Sequence, residues 1–199
     1  MKCLIFAAGL GTRLKPLTDM MPKALVPVGG IPLIEHVTRK LKASGVDEAV
    51  VNVHHFADMV QQWVEKQDIM GMEVSDERKL LLETGGGVLH ARPYLEGCGK
   101  FLIHNVDILS DLDPERCLKL AFSGIHILSD KVFDVLESYA RSKGLYEESD
   151  TPRFPIMDFY LTLCAEYKIY GVKAEALHLV DVGKLDTIEV AEREILRLT

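Results

Sequence analysis

Lys2-Cys3-Leu4-Ile5-Phe6-Ala7-Ala8-Gly9-Leu10-Gly11-Thr12-Arg13-Leu14-Lys15-Pro16-Leu17-Thr18 begins as a continuous apolar run and breaks at two glycines. A run of that length without alternation predicts a strand buried on both faces, as in a parallel sheet covered by helices. A basic residue followed by apolar ones is also how a secretory leader starts. Here the apolar part ends at Gly9 and passes into Thr12-Arg13-Leu14-Lys15 with no small-residue cleavage pattern. Residues 2–8 are therefore read as a first core strand.

Outward from that strand, helical and strand periodicities alternate along the chain. Pro32 opens a helix at its first turn, with Leu33, Ile34, Val37 and Leu41 on one face and Gly45 as its stop. Residues 49–53 read as a second strand and 57–66 as a second helix, with Met59, Val60, Trp63 and Val64 inward. A short strand at 72–75, a helix at 87–95 frayed by Pro93, and a buried strand at 100–104 come next. The remaining expectations are a strand at 122–128, helices at 131–142 and 155–167, a strand pair within 169–180 and a last helix at 187–198. Such alternation implies an α/β fold: a doubly wound, mostly parallel, Rossmann-like sheet with helices on both faces. Ligands in these folds sit beyond the carboxyl ends of the strands, where Gly9, Asp107 and Asp181 all fall.

One junction breaks the pattern. Residues 113–120 read as a helix, capped by Asp113 with Pro114 in its first turn, yet it runs straight into Ala121-Phe122-Ser123-Gly124 without a turn residue. Connections of a few polar residues are expected at such a place. Either the helix is misplaced or residues are absent between Leu120 and Ala121. Residues 147–155, acidic and holding two prolines, read as an exposed loop.

With 199 residues the chain is long enough for one sizeable core and short for two, so a single domain over 1–199 is expected. Its net charge of −7 argues against broad nucleic-acid binding, which needs a basic face. An acidic protein that handles phosphates must instead concentrate positive charge locally or recruit a cation. Apolar runs are strand-sized and too short to cross a bilayer, so no membrane partner is expected. Cys3, Cys98, Cys117 and Cys164 lie far apart, which argues against a disulfide framework or a zinc site and agrees with a reducing cytoplasm.

Glycines after a strand let backbone N–H groups approach an anion closely. Arg13 can grip phosphate oxygens in bidentate fashion, and Lys23 adds a mobile charge. Lys2 and Lys15 bring the local count of cations to four. The same residues also make a surface turn with solvated charges, and spacing alone leaves both readings open. No Gly-Lys-Ser/Thr follows, so the loop is not a Walker A motif. The third glycine of a dinucleotide fingerprint is missing, and Pro16 and Pro22 prevent a helix from starting there. Asp107, at the end of a buried strand, is either the cap of the following turn or a ligand for a hard cation.

The loop has the form G-x-G-T-R-L-x-P-L-T followed by P-K, and it resembles the signature of the sugar-1-phosphate nucleotidyltransferases, or sugar-nucleotide pyrophosphorylases. The resemblance continues through Ala24-Leu25-Val26-Pro27-Val28-Gly29-Gly30-Ile31-Pro32-Leu33-Ile34-Glu35 and Leu82-Glu83-Thr84-Gly85-Gly86-Gly87. It goes on at Asn105-Val106-Asp107, Phe122-Ser123-Gly124-Ile125 and Asp181-Val182-Gly183, in family order across nearly the whole chain. The sequence is most similar to single-domain members that act on N-acetylmuramate, mannose or heptose 1-phosphates. The resemblance implies a glycosyltransferase-A-like nucleotidyltransferase fold, and an NTP and a sugar 1-phosphate as substrates. The products would be an NDP-sugar for cell-envelope polysaccharide and pyrophosphate, made by a monomer or homodimer. It further implies that Ala8, Gly9, Gly11, Thr12 and Arg13 hold the nucleotide phosphates and that Thr84 and Gly85 line the base pocket. Gly124 and Asp158 match sugar-side positions, Asp107 and Asp181 match ligands of Mg²⁺, and Arg13 and Lys23 match the catalytic cations.

Family members carry several tens of residues between the N-x-D strand and the F-S-G-I strand, and here that stretch is almost absent. Missing residues and a natural deletion both account for it, and the intactness of every other block favours the first. Two alternative functions remain: a nucleotide-sugar-binding regulatory homologue without transfer, and cytidylyl transfer to a non-sugar phosphate such as phosphocholine. The presence of Arg13, Lys23, Asp107 and Asp181 together disfavours the regulatory one. His54-His55, His104 and Cys3 read as structural.

Overall fold

In the computed structural model, which describes residues 1–111, 124–146, 150–171 and 177–198, the first strand β1 (Lys2–Phe6) lies at the centre of the sheet. Its neighbours are β4 (Glu48–Val53) and β6 (Lys100–Asn105), both parallel to it. Strand β5 (Gly71–Asp76) extends the sheet in parallel beyond β4, and β8 (Ile125–Ser129) closes the other edge antiparallel to β6. The order is β5-β4-β1-β6-β8, so the expected mostly parallel sheet is present.

Side chains along these strands divide by parity, because successive residues point to opposite faces. Cys3 and Ile5 of β1, Ala49, Val51 and Val53 of β4 and Leu102 of β6 enter one core. Leu4, Val50, Phe101 and Ile103 enter the other. The registers Leu4↔Val50 and Leu4↔Ile103 keep each set on its own side. Helices α1 (Leu33–Ala43), α2 (Ala57–Lys66) and α7 (Leu185–Leu198) cover the first face, with Leu33, Ile34, Val37, Leu41, Val60 and Val64 buried. Helices α3 (Glu83–His90), α4 (Arg92–Leu95), α5 (Val132–Ser142) and α6 (Ile156–Leu163) cover the second through Val88, Leu95, Phe133, Leu136 and Phe159. Fully burying a side chain of this size contributes roughly 1.5–3 kcal/mol, so the two apolar layers fix the sheet between its helices. Two small ladders complete the fold: β2 (Pro27–Val28) with β3 (Ile31–Pro32), and β7 (Ile108–Ser110) with β9 (Leu179–Asp181), both antiparallel.

Several elements depart from expectation. Helix α3 starts at Glu83 rather than 87 and takes in all three glycines, because tight packing there overrides their poor helix propensity. Met59 is 37% exposed and turns away from the core that holds Val60. Of the 147–155 stretch expected as an exposed loop, 147–149 lie outside the described residues, and in the remainder Pro152 and Phe154 are buried against α3. The helix expected to 167 ends at Leu163, and of the strand pair expected within 169–180 the described residues hold β9, which starts at Leu179 and runs on to Asp181. The last helix, expected from 187, begins at Leu185 and takes Asp186 into its first turn, where Thr187 exchanges hydrogen bonds with Lys184. The irregular junction, the helix expected at 113–120 and Cys117 lie outside the described residues. Cys3, Cys98 and Cys164 are free thiols, and no described helix is long and apolar enough to cross a membrane.

Candidate active site

The loop after β1 is shaped by one glycine and anchored by one leucine. Gly11 has φ +64°, and a Cβ on it would lie 2.7 Å from Thr18 Cγ2 and 3.1 Å from Lys23 Cβ. Only glycine lets the loop fold back this closely. The Thr18 hydroxyl and the Leu14 N–H both donate to the Gly11 carbonyl at 2.8 Å, and Leu14 is fully buried. Thr12 and Arg13 are thereby held on an exposed turn, and Gly9 is exposed with no atom within 4 Å of where its Cβ would be.

Of the four cations counted near this loop, two turn away. Lys2 pairs with Glu48 at 2.9 Å and donates to the Tyr94 carbonyl, and Lys15 pairs with Asp19 at 2.9 Å. Lys23 and Arg13 remain. The Lys23 ammonium is paired directly with the Asp107 carboxylate, both side chains being only 13% exposed. Asp107 follows β6, and its carbonyl accepts from Val182 N–H at 2.7 Å, while Ile108 pairs with Asp181 in the β7–β9 ladder. That ladder sets the two aspartate segments side by side despite their separation in sequence. At Gly183 a Cβ would lie 2.7 Å from both Arg13 Nη2 and Asp181 Oδ1, so guanidinium and carboxylate share the space that the missing side chain leaves.

A pocket of about 400 Å³ opens between these charges and α3. Ala7, Ala8, Gly9, Lys23, Asn105 and Asp107 form one side, and Glu77, Leu81, Glu83, Thr84 and Pro155 the other. Glu83 takes a left-handed backbone (φ +61°) where α3 begins. Gly85 N–H donates to the Phe154 carbonyl at 2.8 Å, and Thr84 Oγ1 accepts from Ile156 N–H at 2.9 Å. A Cβ at Gly85 would lie 2.3 Å from the Phe154 ring, and one at Gly86 2.2 Å from the Pro152 carbonyl oxygen. These glycines admit residues 152–156 against the helix, a packing role beside the base-pocket role expected of Gly85.

Two polar residues of the pocket were not singled out from sequence. Asn52 and Glu77 are each 2% exposed. Asn52 Oδ1 accepts from Ala7 N–H at 2.7 Å and Ala8 N–H at 3.2 Å, and its Nδ2 donates to Glu77 Oε1 at 2.9 Å. Burial pushes the Glu77 carboxyl up to about 7, against the opposing pull of the Asn52 and Leu82 donors. The available sequence signal was a lone polar residue within Val50-Val51-Asn52-Val53.

Ala8, Gly9, Lys23, Thr84 and Asp107 thus line one pocket, and Arg13 and Asp181 meet over Gly183. Gly124 (φ +81°) lies behind the pocket wall: its carbonyl accepts from Asn105 N–H at 2.8 Å, and a Cβ would strike Asn105 Nδ2 at 2.6 Å. Asp158 is exposed in the first turn of α6 and does not line the pocket. His54, with Nδ1 at 2.8 Å from the Glu77 carbonyl, and buried His104 are structural. No group of three His, Cys, Asp or Glu side chains gathers among the described residues. Asp107 and Asp181 nonetheless suit Mg²⁺, which takes one or two carboxylates and completes its shell with water and substrate phosphates.

The nucleotidyl transferase family profile matches residues 2–124. The chain is 35% identical to the N-acetylmuramate alpha-1-phosphate uridylyltransferase of Caulobacter vibrioides over 216 positions, covering 87% of this chain and 88% of that protein. Since those positions exceed the aligned part of this chain, the relative carries roughly forty that have no counterpart here. It is 33% identical to the mannose-1-phosphate guanylyltransferase catalytic subunit beta of Xenopus tropicalis, over 60% of this chain and 34% of that one. The solved CTP:phosphocholine cytidylyltransferase of Streptococcus pneumoniae superposes with a TM-score of 0.76 at 18% identity, covering 98% of both chains, a likeness of fold. With the glycine loop, the two cations and the paired aspartate segments, these matches establish that the chain belongs to the nucleotidyl transferase family.

Proposed function

We propose that this nucleotidyltransferase moves a nucleoside monophosphate from an NTP to a sugar 1-phosphate, yielding an NDP-sugar and pyrophosphate. The observation that carries this is the Lys23–Asp107 pair in the lining of a pocket walled by the glycine loop and α3, with Arg13 and Asp181 both approaching Gly183, whose neighbour Val182 is bonded to the Asp107 backbone. An oxygen of the sugar phosphate attacks the α-phosphorus in line; the new P–O bond forms as the bond to the β-phosphate oxygen breaks. The attacking phosphate is already anionic, so no side-chain nucleophile is required, and catalysis is positioning plus charge compensation. Lys23 neutralises charge at the α-phosphate and Arg13 at the departing pyrophosphate. The backbone from Ala8 to Thr12 holds the triphosphate. Asp107 and Asp181 would hold Mg²⁺, which supplies Lewis-acid neutralisation of phosphate charge. Thr84 and Gly85 border the base, while Gly124 and Asp158 belong to the sugar side.

The Caulobacter relative supports uridine as the base and N-acetylmuramate 1-phosphate as the first acceptor to test. The domain would act as a monomer or homodimer in the cytoplasm. The intactness of every other block favours missing residues between Leu120 and Ala121, and the roughly forty positions of the relative without counterpart leave room for them. An intact mass above 22.3 kDa for the protein from its source would agree with that. Pyrophosphate release from UTP, GTP and CTP with a panel of sugar 1-phosphates and phosphocholine, with and without Mg²⁺, tests the function. Release only with phosphocholine would favour the cytidylyl alternative, and binding without release the regulatory one.

A further inference from the structure

We propose that Asn52 and Glu77 form a positioning clamp that sets the spacing between the phosphate loop and the α3 wall, and thereby the affinity for the triphosphate. This rests on the reading of the pocket as a nucleotide site. Asn52 stands beside the end of β1, in register with Phe6. Its Oδ1 accepts from two consecutive N–H groups, Ala7 and Ala8, immediately before Gly9. Its Nδ2 donates to Glu77 Oε1 at 2.9 Å, and Glu77 Oε2 accepts from Leu82 N–H at 3.3 Å, immediately before α3. Glu77 is itself fixed by its N–H, which donates to the Val53 carbonyl at 2.8 Å. An unbroken series of side-chain bonds therefore runs from the phosphate loop to the first turn of the opposite wall. Helix α3 presses on it from above: a Cβ at Gly87 would lie 2.9 Å from Glu77 Oε1 and 3.1 Å from Asn52 Nδ2.

A buried polar pair serving stability alone need not end on two ligand-facing segments. This one does at both ends, and both of its members line the pocket. In a low-dielectric setting each bond orients the next, so loss of one link frees both walls. The amide at position 52 accepts from the loop through its oxygen while donating to the glutamate through its nitrogen.

The test is isothermal titration of UTP and of GTP with Mg²⁺ and no acceptor, joined to steady-state kinetics of pyrophosphate release. Asn52→Ala is expected to weaken triphosphate binding at least tenfold while KM for the sugar 1-phosphate stays within twofold. Asn52→Asp keeps the acceptor but needs a shared proton to bond Glu77, since two carboxylates at that distance cannot both ionise and remain bonded. The other titratable or charged groups around Glu77 are Asp76 and Arg78, adjacent in sequence, His54 on its carbonyl, and Glu83 and the Lys23–Asp107 pair in the same pocket. All are present in both proteins, so the variant-to-wild-type ratio isolates the new pair. That ratio is expected near one at pH 5.5 and at least tenfold weaker at pH 8. A folded Asn52→Ala that binds within twofold of wild type, or an Asn52→Asp ratio that does not move with pH, overturns the clamp. If Asn52→Ala does not fold, the pH ratio of Asn52→Asp decides. Wild-type protein that binds neither nucleotide overturns the nucleotide reading and the clamp with it, whereas normal wild-type binding with unaffected variants overturns the clamp alone.

Discussion

Gly85→Ala probes how closely residues 152–156 must seat against α3. The added methyl would lie 2.3, 2.5 and 2.9 Å from three atoms of the Phe154 ring, where ordinary contact begins at 3.4 Å. The ring edge must retreat by roughly 1 Å, and it has little room: Phe154 is 3% exposed and Tyr139 packs on it at 5.4 Å between centroids. Overpacking of this kind costs about 1–3 kcal/mol, partly offset by about 1 kcal/mol from replacing a helical glycine with alanine. The net expectation is a loss of up to about 2 kcal/mol in urea unfolding, or a Tm lower by up to roughly 8 °C for a domain of this size. Phe154→Ala alone should cost about 3–5 kcal/mol, because it leaves a cavity. In the double variant the new methyl occupies part of that space, so the two changes should be less harmful together than their sum by about 1–3 kcal/mol. The same displacement moves Pro155 in the pocket wall and loosens the Ile156–Thr84 bond. KM for the NTP should therefore rise several-fold in Gly85→Ala. A clear gain of stability in the single variant, or strict additivity in the cycle, would refute the reasoning.

Glu77→Gln should change how stability depends on pH. Because the folded carboxyl is raised from 4.5 to about 7, its protonated form stabilises the fold fully below pH 4.5, and that contribution is lost as pH rises through 7. The stability of Glu77→Gln relative to wild type should then improve by about 3 kcal/mol between pH 4.5 and 7.5. His104 and His126, lowered by burial to about 4, weaken both proteins as pH falls below 6.5 and cancel in the difference. A pH-independent difference in denaturant unfolding would exclude the buried carboxyl as the cause. Arg13→Ala and Asp107→Asn should each lower turnover at least ~100-fold with circular dichroism unchanged; near-normal rates in either would remove that residue from the mechanism. EDTA should abolish pyrophosphate release and added Mg²⁺ restore it, and full activity in EDTA would show that the two aspartates serve another purpose.

What the sequence made legible is what the backbone itself demands. The apolar run at 2–8 reads as a strand covered on both faces, which the structure ends at Phe6, and parity assigns Leu4 and Ile5 to opposite cores. Gly11 was readable because its positive φ and its closeness to Thr18 and Lys23 exclude any other residue. The orientation of charges was not readable in the same way. Lys2 and Lys15 stand as near the loop in sequence as Arg13 does, and only the positions of Glu48 and Asp19 draw them off. The start of α3 was misplaced because three consecutive glycines look like a turn by propensity, whereas the Phe154 carbonyl and ring, some seventy residues away, hold them in a helix. Asn52 was missed for the same reason. Its partners Ala7 and Glu77 lie 45 and 25 residues off, and in a parallel sheet such neighbours are set by crossover helices rather than by any local pattern. The site's chemistry is therefore encoded at two ranges. Glycine loops and strand-end aspartates announce themselves locally, because each needs a backbone feature of its own. The side chains that hold those pieces at working distance become visible only when the sheet brings β1, β4 and β5 together.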